Sequence, residues 1–125
     1  MLHSIGTPDY NERLVLRGQV QTQLMKIFAD HDLDAIVYPH QQQLVCEVGG
    51  SQKERNGVLC SVTGFPSIVV PAGYSQSTRT APVGIPIGME IIGRPWSEKT
   101  LLSIAGIYEK KAAVMELPPF TPDFK

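Results

Sequence analysis

Ser67-Ile68-Val69-Val70 and Ile85-Pro86-Ile87-Gly88-Met89-Glu90-Ile91-Ile92, joined through the small polar stretch from Tyr74 to Gly84, decide how this chain folds. The first run follows Pro66 and is almost wholly apolar, which suits a strand covered on both faces. The second alternates. Ile87, Met89 and Ile91 fall on one side of an extended backbone, and Gly88, Glu90 and Ile92 on the other. Gly93-Arg94-Pro95 ends it. The joining residues have the composition of a surface loop, long enough for a hairpin but without the tightest turn chemistry, so the two strands are expected to pair antiparallel.

Upstream, Thr63-Gly64-Phe65-Pro66 closes a short helix that Asn56 caps and that runs through Val58, Leu59 and Val62. Before it lies a long polar excursion over residues 41–55. Asp34-Ala35-Ile36-Val37-Tyr38 is a third strand, stopped at Pro39. A strand, a crossover helix and a second strand are expected to run parallel with a right-handed crossover. The first helix spans residues 8–31, opened by a Thr7 cap, Pro8 at its first position and Asp9 in its first turn. Leu16, Val20, Leu24 and Ile27/Phe28 form its apolar stripe. Downstream, Ser97 caps a last helix whose stripe is Leu101, Ile104, Ala105 and Tyr108. Lys110 and Lys111 stand where a helix dipole favours cations. Pro118, Pro119 and Pro122 make residues 117–125 an extended tail. The fold class is α/β: a small mixed sheet of about three strands flanked by about three helices, in one domain over residues 1–125.

Composition narrows the functions open to such a domain. Eleven Lys and Arg balance twelve Asp and Glu, for a formal charge of −1. That leaves no basic footprint for nucleic acid and none for an anionic membrane surface. No apolar run approaches the ~20 residues needed to span a bilayer, and no signal-like stretch follows Met1-Leu2-His3. A cytoplasmic, reducing location is expected. Two cysteines, Cys46 and Cys60, make no disulfide framework.

Few residues present themselves for chemistry. Gly49-Gly50-Ser51 has the look of a nucleophile loop, but no general base stands at an interpretable offset, and a surface turn is the better reading. Lys26 lies on the polar face of its helix and is read as solvated. His3 and His31 sit at a terminus and a helix end. His40 stands apart because it follows a strand ending at Tyr38-Pro39, and ligands in open α/β sheets gather beyond the carboxyl ends of strands. His40 and the adjacent Gln41 are the candidate substrate-binding residues. A metal site from His40, Cys46 and Cys60 has no known ligand spacing. No phosphate loop, paired acids or dinucleotide fingerprint appears. No catalytic, metal-ligating or cofactor-binding residue is nominated.

The order of motifs says more than any one residue. Asp34-Ala-Ile-Val-Tyr-Pro39, Asn56-Gly57, Thr63-Gly-Phe-Pro66, Ile68-Val-Val-Pro-Ala-Gly73, Gly84-Ile-Pro-Ile-Gly88 and Ile92-Gly-Arg-Pro95 are followed by Glu98, Leu101-Leu102 and Tyr108-Glu109. This series resembles the carboxyl-terminal portion of the amidase signature family, in its fungal-type members. The resemblance implies a central mixed sheet with flanking helices and hydrolysis of a carboxamide to an acid and ammonia or an amine. It also implies a serine nucleophile assisted by a second serine, through a cis peptide, and a lysine, with no metal or organic cofactor. None of those three residues has a counterpart in the matched motifs, and the nucleophile is not carried onto Ser51. The chain alone is therefore expected to be inactive. Part of a larger sheet would expose edges and apolar faces, so self-association or a protein partner on those faces is expected. The alternative is a non-catalytic module that assembles with itself or binds a small molecule near His40 and the 41–55 loop.

Overall fold

Local chemistry starts the first helix where the sequence places it. The Thr7 side-chain oxygen accepts a hydrogen bond from the Tyr10 N–H at 3.3 Å, and Pro8 follows with no N–H to satisfy. A computed structural model describes residues 5–46, 48–51, 53 and 58–114. In chain order these form α1 (Pro8–Asp30), β1 (Ala35–Pro39), α2 (Val58–Thr63), β2 (Ser67–Tyr74), β3 (Pro86–Gly93) and α3 (Glu98–Ala112). The Asn56 cap and the tail over residues 117–125 lie outside the described residues.

Three strands and three helices agree with the α/β expectation, and β2 and β3 form the expected antiparallel pair. The pairing corrects one detail. The sheet was expected to be mixed, but its order is β1-β3-β2 and both ladders are antiparallel. Strands β1 and β2 do run in the same direction, with β3 inserted between them. Proline chemistry explains the arrangement. Pro39 lies in β1 and Pro71 in β2, each lacking a donor, which suits edge strands. Strand β3 has its one proline, Pro86, as its first residue and donates freely thereafter.

Strand β2 also continues past Pro71, beyond the Ser67–Val70 run read from the sequence. Pro71 pairs with Gly88 and Gly73 with Ile87, so a bulge at Ala72 carries the strand on to Tyr74.

Two cores sit on opposite faces of the sheet, as the alternation in residues 87–92 predicts. Under α3, Val70 and Ile91 pack with Leu101 and Ala105. On the other face, Ile92 packs with Leu24 and Phe28 of α1 and with Phe65. Arg94 ties that second layer down: its guanidinium donates to the Phe28 carbonyl at 3.2 Å and stands over the Phe28 ring. It thereby gives a second donor to a helix-end carbonyl that also accepts from the Leu33 N–H at 3.0 Å. Gln21 donates to the Thr63 carbonyl at 2.6 Å, joining α1 to α2. Gly64, at φ +70, supplies the left-handed residue that ends α2.

Two helix details differ from expectation. Leu24 and Phe28 are buried, but Leu16, Val20 and Ile27 of the predicted stripe stay exposed, because only the last turns of α1 meet the sheet. Ser97 precedes α3 without a side-chain cap; its hydroxyl turns back to donate to the Arg94 carbonyl at 2.6 Å. Among the described residues, no helix is long and apolar enough to cross a membrane.

Candidate functional site

Glu90 occupies the middle of the central strand and is 1% exposed. An acid at such a position must be neutralised or well supplied with donors. Register provides the donors. Tyr38 of β1 is its direct cross-strand partner, and Val69 of β2 faces it on the other side. The ladder extends one residue past β1 through the His40 N–H, which donates to the Gly88 carbonyl at 3.1 Å. That places His40 on the same face as Tyr38 and Glu90, one step along. Its Nδ1 lies 3.0 Å from the Glu90 Oε2.

Electrostatics follow from this crowding. Burial by itself raises the Glu90 pKa, but side-chain interactions with Cys60, His40, Ser67 and Tyr38 outweigh it and leave the carboxyl below its ordinary value. Glu90 is thus a carboxylate at neutral pH, drawing on α2, both edge strands and the residue after β1. Burial, and then the Glu90 charge beside it, hold the Tyr38 phenol well above its ordinary range. The Tyr38 hydroxyl is buried next to the carboxylate without a hydrogen bond of good geometry.

Gly88 makes room for Val69 beside this site. A Cβ there would fall 2.9 Å from Val69 Cγ1 and 3.8 Å from the His40 Cβ. His40 keeps 38% of its side chain exposed and lines an open groove of about 400 Å³. Gln41 lines it too, together with Gln42, Gln43, Leu44, Val45, Pro86 and Ile87. The groove thus offers both polar and apolar side chains, and the two sequence-nominated residues are among them.

The remaining nominated residues are scattered. Gly49 sits in a turn at φ +85, and the neighbouring Ser51 is exposed. Lys26 is exposed and paired with Asp30 one turn on. His31 caps the end of α1. His3 lies outside the described residues. Cys46 and Cys60 form no disulfide. Cys60 instead joins the Glu90 cluster, an assignment the sequence reading did not make. Among the described residues, no group of three or more His, Cys, Asp or Glu is placed to hold a metal ion. Glu90 was missed as a partner of His40, although a signal for it exists: it is the one charged residue in the apolar run from Ile85 to Ile92.

Comparison with known proteins gives one consistent answer. A family model described as Amidase matches residues 3–102. A fatty acid amide hydrolase of Arabidopsis thaliana is 30% identical over 94% of this chain and 20% of its own length. Mandelamide hydrolase of Pseudomonas putida is 36% identical over 66% of this chain and 17% of its own length. The crystal structure of a peptide amidase from Stenotrophomonas maltophilia superimposes with a TM-score of 0.79 at 26% identity, covering 95% of this chain and 23% of that one. The matches thus span about a sixth to a quarter of the length of these relatives.

Proposed function

Since the chain belongs to the amidase family, we propose that it is the scaffold portion of a carboxamide hydrolase, supplying a sheet and a groove wall to a larger catalytic body. The observation that carries this reading is the pair of coverages. Nearly all of this chain matches the peptide amidase, but it accounts for 23% of that enzyme. His40 and Gln41 are the residues proposed to meet substrate, since both line the groove and carry polar side chains. Relatives that act on a fatty acid amide and on mandelamide support an amide with an apolar acyl part.

The chain alone is proposed to be inactive, because none of its serines or lysines falls within a motif matching the family's nucleophile and base. Exposed apolar residues agree with a missing neighbour. Leu14, Val15, Leu16 and Val20 of α1 are 44%, 61%, 52% and 37% exposed, apolar surface on the first turns of the helix that this chain leaves uncovered. We assign that surface and the two sheet edges to contact with the rest of an amidase body, or with a second copy when that body is absent.

Ammonia release from hexanamide tests the reading. The purified 125-residue chain is expected to release none above the buffer rate. Turnover that disappears in Ser51→Ala would overturn it.

A further inference from the structure

The buried Glu90 does more than balance charge inside the sheet. It is acceptor-only at neutral pH, because a carboxylate has no proton to donate. The 3.0 Å contact with His40 therefore requires the hydrogen on Nδ1. A neutral imidazole carrying its proton there has a bare lone pair on Nε2. Nδ1 faces a carboxylate that is 1% exposed, while the ring keeps 38% of its surface in the open and lines the groove. The nitrogen directed away from Glu90 is then the one at the groove.

We propose that Glu90 is a positioning residue that locks His40 in the Nδ1–H form, so that Nε2 accepts a hydrogen bond from the N–H of a carboxamide whose acyl chain lies along Leu44, Val45, Pro86 and Ile87. This deepens the amidase reading and rests on it for the choice of an amide. The tautomer lock itself rests on the 3.0 Å contact together with the ionised state of the buried Glu90. Gln41 brings a side-chain amide to the same groove, a donor suited to the ligand carbonyl. An acid of the same chain length offers Nε2 a carboxylate, which is acceptor-only and cannot make this contact. The groove is thus proposed to favour amide over acid. Cys60 and Ser67 have a part in this arrangement: with His40, they favour the ionised form of the carboxyl.

The test uses the full chain labelled with nitrogen-15, at about pH 8.5, where imidazoles are neutral. Long-range proton–nitrogen spectra report which ring nitrogen carries the proton. His40 is expected to show a protonated Nδ1 and a bare Nε2, and Glu90→Leu is expected to return it to a form protonated mainly on Nε2. Addition of hexanamide is expected to shift Nε2 saturably, while N,N-dimethylhexanamide and hexanoate leave it unmoved. His40→Ala, at a partly exposed position, is expected to weaken hexanamide binding at least tenfold. A bare Nδ1 in the unsubstituted protein overturns the lock, whatever Glu90→Leu does to folding. Equal shifts from hexanamide and its dimethyl analogue overturn the ligand assignment. Ammonia release enters none of these readouts, so they fail or hold separately from the amidase reading.

Discussion

The two faces of β3 solve burial differently. Toward α3, Met89 and Ile91 meet Val70, Leu101 and Ala105, an apolar contact with no polar group to satisfy. Toward α1 and α2, Ile92 lies under Phe28, but Glu90 two residues earlier carries a charge into the sheet and draws side chains from four segments around it. The first face gains stability from area removed from water, which tolerates change in detail if volume is kept. The second is intolerant in a different way, since each donor has a place set by the carboxylate. Both faces gain stability from an apolar core, but only the second carries a charge whose partners must be specified.

Ile91→Ala is the severest challenge to the apolar face. It is expected to cost about 2–5 kcal/mol in urea unfolding, the range for deleting a buried aliphatic side chain. Glu90→Ala is expected to cost less, about 1–3 kcal/mol, chiefly from donors left without an acceptor. If Glu90→Ala proves the costlier of the two, the division between the faces is wrong.

Acid sharpens the same contrast. The folded Glu90 carboxyl titrates below its ordinary value of 4.5, so the folded state binds fewer protons at that site. Its contribution is complete above the unfolded pKa and disappears as pH falls through the folded one. The gap in urea midpoint between the unsubstituted protein and Glu90→Gln is therefore expected to narrow from about pH 6 to about pH 3. A gap that widens on acidification would contradict the ionised state of Glu90. The smallest effect belongs outside both faces. Leu16→Gln, on the uncovered part of α1, is expected to change stability by less than about 0.5 kcal/mol. Light scattering should nonetheless show weaker self-association than in the unsubstituted chain.

The same division governs what could be read ahead of the structure. Helix α1 begins at Pro8 because the Thr7 hydroxyl and the proline ring act within one turn, so neighbours in sequence suffice. The two-sided pattern of residues 87–92 was equally legible, since alternation follows from the pleat. Ser97 misled because its hydroxyl donates back to the Arg94 carbonyl and accepts from no helix amide. Leu16, Val20 and Leu24 share a helical stripe, and periodicity cannot tell which turns of the stripe reach the sheet. His40 was singled out by its place after a strand, but its partner Glu90 lies fifty residues away and was legible only as a charge in apolar company.

Sequence alone determined the three helices, the three strands, the hairpin of β2 and β3, and the resemblance to amidases. These rest on caps, periodicity and motif order, which act over a few residues or are written in linear succession. Tertiary structure alone decided that β3 lies between β1 and β2 and that Tyr38, His40, Cys60, Ser67 and Glu90 meet. Strand order is settled by which backbone donors find acceptors across the sheet, and the charge of Glu90 by side chains that only that order brings together.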